Sequence, residues 1–190
     1  MPFFTVVVPL FNKAKYILAS LESIAAQTFR DFEVIVVDDG STDGGREVVS
    51  AYRGLPVVLV VQKNAGAAAA RNRGVKAARG RYLAFLDADD QWYPDHLKEI
   101  AGLIASYPGA KVFTCAYEFK YQQDGRSVVE TSGASYAGAV DFFQEGRHYF
   151  FCMNSVAAER QSFLETRGFP EPFRHGEDLA PFMELALKHL

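Results

Sequence analysis

Four short apolar segments, the first three of them rich in β-branched residues, mark the first half of the chain. They are residues 5–10, 34–37, 57–61 and 82–86. Each is apolar at successive positions and not only at every second one, which is typical of central strands covered on both faces. The pattern therefore predicts a sheet of largely parallel strands.

Helical periodicity fills the intervals between these strands. In residues 15–26 the apolar positions Ile17, Leu21 and Ile24 recur at helical spacing. Residues 44–52, 67–78 and 94–107 are predicted to be helical too, with Pro94 in the first turn of the last one. Strands and helices in alternation predict an α/β fold of three layers, with helices on both faces of a mostly parallel sheet.

The second half of the chain has a less regular pattern. We expect a strand over 111–121, a turn at Gly125, a short helix over 141–145, a return to the sheet over 154–157 and a last helix over 178–190. No linker or repeat separates the two halves, so residues 1–190 are predicted to form a single domain.

Composition narrows the classes of protein to consider. The chain has 190 residues, of which 49% are hydrophobic, and a formal net charge of −3. This charge argues against a general nucleic-acid partner, which calls for a basic face. No apolar run reaches the ~20 residues of a membrane span, and the first residues do not resemble a secretory signal. Cys115 and Cys152 lack metal spacing and are interpreted as reduced core residues, which favours a cytoplasmic location.

Polar residues follow three of the predicted strands. They are Pro9-Leu10-Phe11-Asn12, the run from Asp38 to Asp43, and Asp87-Ala88-Asp89-Asp90. Ligands of open parallel α/β sheets bind at the carboxyl ends of the strands, and parallel strands bring those ends to one edge. The topology therefore predicts that the three groups form one site.

Each acidic group has a simpler interpretation as well. Residues 38–43 could form only a turn and a helix cap, although two successive acids also suit a base N–H or a ribose hydroxyl. Residues 87–90 could form a solvated turn. Carboxylates at Asp87 and Asp89, one residue apart at a strand end, also suit a divalent cation that completes its coordination with phosphate oxygens.

The stretch from Asn64 to Gly80 is basic and rich in alanine. It matches neither a Walker loop nor a dinucleotide fingerprint. Most of its basic residues are expected on a solvated helix face. Arg71 is the exception, because its helix leads into the acidic strand, where a guanidinium could contact the base or phosphates of an anionic ligand.

Taken together, these motifs resemble those of the family 2 glycosyltransferases. The resemblance rests on five matches in order along the chain: Pro9-Leu10-Phe11-Asn12, Gln27-Thr28 through Asp43, Asn64 through Gly74, Asp87-Ala88-Asp89 and Glu177-Asp178. It covers essentially the whole chain and implies the A-type glycosyltransferase fold. Residues 1–110 would form the nucleotide-binding half. Residues 111–190 would form the acceptor-side half, shortened at its C-terminus relative to the family.

The resemblance also implies roles for single residues. Asp89 would bind Mn²⁺ or Mg²⁺ directly, with Asp87 on the ribose or on the metal through water. Asp178 would be the catalytic base, with Glu177 beside it. The nucleotide-sugar would be contacted by Pro9, Phe11, Asn12, Asp38, Asp39, Arg71, Asp87 and Ala88.

The implied reaction moves a sugar from a nucleotide-diphosphate sugar to an acceptor hydroxyl with inversion, in polysaccharide or cell-surface glycan synthesis. A UDP-linked donor is favoured, while GDP and dTDP stay open. The acceptor would be a saccharide or a lipid-linked saccharide. A peripheral position at the inner face of the membrane and a homo-oligomer stay open too.

Two other functions compete with this one. The chain could be a non-catalytic module that binds a nucleotide-sugar. A sugar nucleotidyltransferase is less favoured, because such enzymes resemble one another in a glycine-rich basic loop after the first strand. That position here reads Pro-Leu-Phe-Asn-Lys, without glycine.

Overall fold

The computed structural model describes residues 1–123, 126–131, 152–171 and 177–188. The predicted turn at Gly125 and the predicted helix over 141–145 lie outside these residues. So do the last two residues of the predicted C-terminal helix.

Six strands in the described residues form the main sheet: β1 (Phe4–Leu10), β2 (Phe32–Asp38), β3 (Val57–Val61), β4 (Tyr82–Phe85), β5 (Val112–Thr114) and β8 (Val156–Glu159). A separate hairpin pairs β6 (Glu118–Gln123) with β7 (Arg126–Thr131). The order in the main sheet is β3-β2-β1-β4-β8-β5. The first four strands in this order run parallel, and β8 is antiparallel to both of its neighbours. The predicted mostly parallel sheet is therefore confirmed.

Helices cover both faces of this sheet. In chain order they are α1 (Ile17–Ala25), α2 (Gly45–Ala51), α3 (Ala67–Ala77), α4 (His96–Ser106), α5 (Arg160–Leu164) and α6 (Ala180–Lys188), with a 3₁₀ turn at Met153–Ser155. None of the helices in the described ranges has the length and apolar character that crossing a bilayer requires.

The buried side chains divide into two cores, one on each side of the sheet. Val6 and Val8 of β1 pack into the core that contains Leu21 of α1 and Ile100 of α4. Val7 points the other way, into the core formed with α3, α5 and α6. Because successive strand residues face opposite sides, a strand that is apolar at every position serves both cores.

Helix α3 packs unusually close to the sheet, and this places its basic residues. A Cβ on Gly74 would lie 2.4 Å from Cγ1 of the fully buried Val7, so glycine allows the close approach. Helix α3 therefore lies against β1 and β2, and Arg71 on this helix reaches Asp87 just after β4.

The prediction of one strand over 111–121 was wrong. The segment divides at residues 115–117 into β5, which joins the main sheet, and β6, which belongs to the hairpin. Strand β8 begins only at Val156, opposite Thr114, so β5 has no ladder partner beyond that point. The α4 helix also begins later than predicted, at His96, because the carbonyl of Pro94 instead accepts a hydrogen bond from Thr28 N–H (2.8 Å).

Candidate active site

The loops after β1, β2, β3 and β4 meet at the carboxyl edge of the sheet. Short backbone bonds align them: Asp39 N–H donates to Leu10 O (2.8 Å) and Leu86 N–H donates to Val7 O (3.1 Å). They enclose a cleft of about 790 Å³, within the range of small-molecule sites. Its walls are Pro9, Leu10, Phe11, Lys13, Asp39, Asn64–Ala68, Ala70, Arg71, Asp87, Ala88, Asp89, Glu171 and Glu177.

Most of the residues predicted from the sequence meet in this cleft. Those that line it are Pro9, Phe11, Asp39, Arg71, Asp87, Ala88, Asp89 and Glu177, whereas Asn12, Asp38 and Asp178 do not line it. Phe11 stays 45% exposed at the wall, so its ring is free to pack against an incoming planar group. Three strand ends thus line one cleft, as the parallel topology predicts.

Asp39 is buried at the inner end of the cleft. Its carboxylate accepts hydrogen bonds from Gln62 Nε2 and from the backbone N–H groups of Ala65 and Gly66, each at 2.8 Å. These bonds fasten the loop that begins α3 to the end of β2. A carboxylate has about four acceptor positions, so one remains for a ligand donor.

Asp38 and Asn12 do not line the cleft but stabilise the loop that follows β2. The buried Asp38 carboxylate accepts from Ser41 N–H (3.0 Å) and from Arg46 Nε (2.7 Å). Burial raises the pKa of Asp38, but the bonds from Ser41 and Arg46 outweigh it and hold this pKa below its ordinary value. Asn12, at φ +53°, accepts from Thr42 N–H (2.8 Å) and so ties the loops after β1 and β2 together.

Arg71 lies on the opposite wall, with 6% of its side chain exposed. One nitrogen, Nη2, donates to Asp87 Oδ1 at 2.8 Å, while Nη1 lies 3.8 Å from Glu177 Oε1. Its Nε and Nη1 have no hydrogen-bond partner among the described residues. Buried polar groups are normally paired, so two unpaired guanidinium donors at a cleft wall indicate a place for ligand oxygens.

The turn after β4 concentrates negative charge. Asp89 pairs with Lys13, and the pKa of Lys13 is raised mainly by that hydrogen bond. Burial, together with the charges of Asp87 and Asp89, raises the pKa of Asp90 to about 6. An additional cation at this turn would relieve the repulsion among the three acids.

Asn154 fixes the shape of this acidic turn. Its Oδ1 accepts from Asp87 N–H (2.6 Å), and its Nδ2 donates to the Asp90 carboxylate. Trp92 Nε1 donates to the Asn154 carbonyl at 2.5 Å. The residue comes from the 3₁₀ turn just before β8, so the second half of the chain completes the site begun by the first.

The acidic residues after β4 suit a cation site in which a ligand supplies part of the coordination. In the described ranges, no three Asp, Glu, His or Cys side chains converge to form a ready metal cage. Mg²⁺ and similar ions, however, take only one or two carboxylates when a ligand's phosphates supply the remaining oxygens. Asp87 and Asp89, both on the cleft wall, meet that lesser requirement.

Glu177 and Asp178 lie in the turn before α6, and both are half-buried. Glu177 reaches the cleft wall and faces Arg71. Asp178, one residue further, does not line the cleft. The structure thus brings the first member of this predicted pair to the site and leaves the second beside it.

Several residues at the cleft were not predicted from the sequence. Lys13, Glu171 and Asn154 were missed, and no local pattern points to them, because each depends on a distant segment for its position. The turn from Asn64 to Ala68 does carry a signal, since it belongs to the motif that begins at Asn64.

The sequence profile described as "Glycosyl transferase family 2" matches residues 5–168. This match covers most of the chain and includes every strand of the cleft. The chain belongs to glycosyl transferase family 2. The predicted family is therefore confirmed.

Curated relatives of this family 2 chain come from several bacteria. An "Uncharacterized glycosyltransferase" of Rickettsia felis is 32% identical over 97% of this chain and 30% of its own length. The "Amylovoran biosynthesis glycosyltransferase AmsB" of Erwinia amylovora is 33% identical over 90% of this chain and 60% of its own length. The chain thus spans about a third to three fifths of these relatives.

A solved structure confirms the predicted A-type glycosyltransferase fold. The crystal structure of S. aureus TarS 1-349 in complex with UDP-GlcNAc has a TM-score of 0.78 to this family 2 chain at 29% identity. The likeness covers 97% of this chain and 53% of that one. It therefore extends through both halves of the fold and not only through the parallel strands.

Proposed function

We propose that the chain transfers a sugar from a nucleotide-diphosphate sugar to an acceptor hydroxyl, with inversion, in polysaccharide or cell-surface glycan synthesis. The observation that carries this proposal is the wall formed by Arg71 and the acids. Among the described residues, two buried guanidinium donors lack hydrogen-bond partners beside Asp87 and Asp89, in a cleft large enough for a nucleotide-sugar. Cationic donors next to cation-binding carboxylates suit a diphosphate that carries its own metal ion.

A UDP-linked donor is the favoured one. TarS, whose fold this chain shares, was solved with UDP-GlcNAc. In this chain Asp39 keeps one acceptor position for a base N–H, and the exposed ring of Phe11 offers a stacking surface. GDP- and dTDP-linked donors are the alternatives to test.

A divalent cation, Mn²⁺ or Mg²⁺, would be held by Asp89 and Asp87 and would stabilise the charge of the departing diphosphate as a Lewis acid. Arg71 adds fixed positive charge on the same side, and its Nε has no hydrogen-bond partner in the part of the chain that the structure describes. The cleft thereby lowers the cost of breaking the bond between the anomeric carbon and the phosphate oxygen.

The acceptor oxygen would attack the anomeric carbon from the opposite face. Asp178 takes the acceptor proton, the new glycosidic bond forms, and the nucleoside diphosphate leaves with the electrons of the broken bond. We assign Asp178 as the base because Glu177 is engaged by Arg71 at 3.8 Å. A single displacement of this kind inverts the anomeric configuration and needs no enzyme nucleophile.

The name of the AmsB relative, which refers to amylovoran biosynthesis, supports a role in polysaccharide synthesis. In our proposal residues 1–110 bind the donor, and residues 111–190 contribute the acceptor side through Asn154, Glu171 and Glu177. The acceptor is a saccharide or a lipid-linked saccharide. A nucleotide-sugar donor and a lipid-linked acceptor would suit a cytoplasmic protein, and a lipid-linked acceptor would also suit a peripheral position at the inner face of the membrane.

Calorimetry tests this proposal. The chain is titrated with UDP, GDP and dTDP, each first with Mn²⁺ and then with EDTA. Metal-dependent binding of UDP is the expected result, and binding of another nucleotide would change the donor class. Absence of binding to all three would contradict the proposal. Binding without turnover of the matching nucleotide-sugar, with an acceptor supplied, would indicate a binding module instead of an enzyme.

A further inference from the structure

Lys13 stands at the cleft wall in contact with the residue assigned to the metal. Its Nζ bonds to Asp89 Oδ2 across 76 residues of sequence and joins the loop after β1 to the turn after β4. Both side chains are more than a third exposed to the cleft, 38% for Lys13 and 39% for Asp89. The ion pair can therefore open without uncovering buried surface.

The ammonium group occupies the position of a cation beside Asp89. The charges that act on it are Asp89 in contact and Asp87 and Asp90 at longer range, and the ring of Tyr16 lies 5.9 Å away. A carboxylate has two oxygens, and Lys13 bonds to Oδ2 of Asp89. A divalent cation bound at the same carboxylate would lie close to the ammonium group and repel it, so we expect metal binding to displace the lysine.

A displaced Lys13 would remain close to the metal-bound diphosphate. Its backbone is fixed, because the Lys13 carbonyl accepts hydrogen bonds from Tyr16 N–H (2.9 Å) and Ile17 N–H (3.0 Å) at the start of α1. Its four-carbon stem is flexible, and an ammonium group has three donors that suit phosphate oxygens. The lysine can thus exchange a carboxylate for a phosphate with a small movement.

The geometry points to Lys13 as a positioning residue that holds Asp89 when no donor is present and contacts the donor diphosphate once a metal takes Asp89. This role rests on the proposed function, because it assumes a diphosphate ligand. This role gives the Lys13 side chain two opposite effects on binding. Lys13 opposes binding of the metal alone and favours binding of the metal together with the nucleotide.

Two titrations on the full chain test the role. In the first, binding of Mn²⁺ alone is followed by electron paramagnetic resonance. In the second, UDP is titrated by calorimetry at saturating Mn²⁺. The variant is Lys13→Met, which keeps the stem and the backbone bonds, and Lys15→Met is the control, because Lys15 is an exposed lysine two residues away.

Lys13→Met is expected to bind Mn²⁺ alone about threefold more tightly, as an exposed ion pair is lost, and UDP with Mn²⁺ about tenfold more weakly, as a charge-assisted hydrogen bond is lost. Lys13→Arg should restore most of the UDP affinity. Lys15→Met should change neither affinity. These opposite signs distinguish the role from a general loss of positive charge or of folding.

Other outcomes would overturn the inference. Unchanged Mn²⁺ affinity in Lys13→Met would show that the lysine does not compete for Asp89. Tighter Mn²⁺ binding with unchanged UDP affinity would show that Lys13 does not contact the diphosphate. If the wild-type chain binds no nucleotide at all, the proposed function fails together with that contact, while the Mn²⁺ titration still decides the competition independently.

Discussion

Asn72 clamps the backbone of Phe169, 97 residues further along the chain. Its Nδ2 donates to Phe169 O at 2.8 Å, and its Oδ1 accepts from Phe169 N–H at 2.9 Å. The ring of Phe169 lies 5.7 Å from the Arg71 guanidinium, one residue before Asn72. The amide on α3 therefore fastens the second half of the chain to the helix that carries the central cation of the cleft, and brings Glu171 to the wall.

Gly168→Ala should disturb this clamp. Gly168 has φ +70°, and an added Cβ would lie 2.8 Å from Asn72 Oδ1. We expect the free energy of unfolding to fall by about 1–3 kcal/mol, measured by urea denaturation. Gly102→Ala is the matched control. It lies inside α4 with nothing near its Cβ position, so alanine should stabilise the chain by about 0.5–1 kcal/mol. Equal effects at the two glycines would contradict the role of the clamp.

Arg71→Met should weaken nucleotide binding strongly. The change removes the ion-pair partner of Asp87 and Glu177. It also removes two donors that lack a hydrogen-bond partner in the described ranges and that we assign to the ligand. We expect UDP affinity in the presence of Mn²⁺ to fall at least ~10-fold, and the free energy of unfolding to fall by about 1–3 kcal/mol. Arg73→Met, on the exposed side of the same helix, is the control and should affect neither quantity. Normal UDP affinity in Arg71→Met would remove Arg71 from the donor site.

Asp89→Ala should abolish the dependence of nucleotide binding on metal. Asp89 is assigned as the direct ligand, and alanine leaves the cation with too few protein oxygens. Calorimetry with UDP should give the same weak affinity with Mn²⁺ and with EDTA. Asp31→Ala, at an exposed position, serves as control. If Asp89→Ala bound UDP and Mn²⁺ as tightly as the wild-type chain, the metal assignment would be wrong.

Asp178→Asn should preserve donor binding and stop transfer. The amide keeps the shape of the side chain but cannot accept the acceptor proton, and the loss of a general base typically reduces the rate by about 10²–10⁴-fold. Donor affinity is measured by calorimetry, and transfer by product formation with a matched acceptor. Transfer at the wild-type rate would exclude Asp178 as the base and would direct attention to Glu177, which already faces the cleft.

His96→Phe should make the stability of the fold less sensitive to acid. His96 is buried and stacks on Trp92 with the ring centroids 4.3 Å apart, and burial lowers its pKa to about 4. Because the folded pKa lies below the unfolded value of about 6.5, the unfolded chain binds more protons between pH 6.5 and 4. The His96 contribution is therefore complete above pH 6.5 and is lost as the pH falls toward 4.

The measurement compares melting temperatures of the two chains at pH 7.5 and pH 5. The melting temperature of His96→Phe should fall less than that of the wild-type chain. Asp90, whose pKa is raised to about 6, affects stability in the opposite direction over this range, but it is present in both chains and cancels in the difference. An equal fall in both chains would show that His96 does not titrate with unfolding.

The sequence predicted the parallel strands and the edge where they meet, because these depend on local periodicity. Continuous apolar runs such as those of β1 and β2 are stable only between two layers, and the polar residues that follow them must then share one edge. The cleft wall of Phe11, Asp39 and Asp87 follows from this arrangement. The second half was harder to predict, because β8 enters the sheet antiparallel between β4 and β5 without a distinctive pattern of its own.

The sequence by itself thus determined the alternating strands and helices of the first half, the edge that carries the polar residues and the family that the motifs resemble. Only the tertiary structure decided which charges pair. Asp38 forms an ion pair with Arg46, Asp87 with Arg71, and Asp89 with Lys13. The physical reason is that the two kinds of interaction connect different parts of the chain. Hydrophobic periodicity acts within one helix or strand, whereas an ion pair depends on the distance between side chains that the packing of different elements and loops brings together.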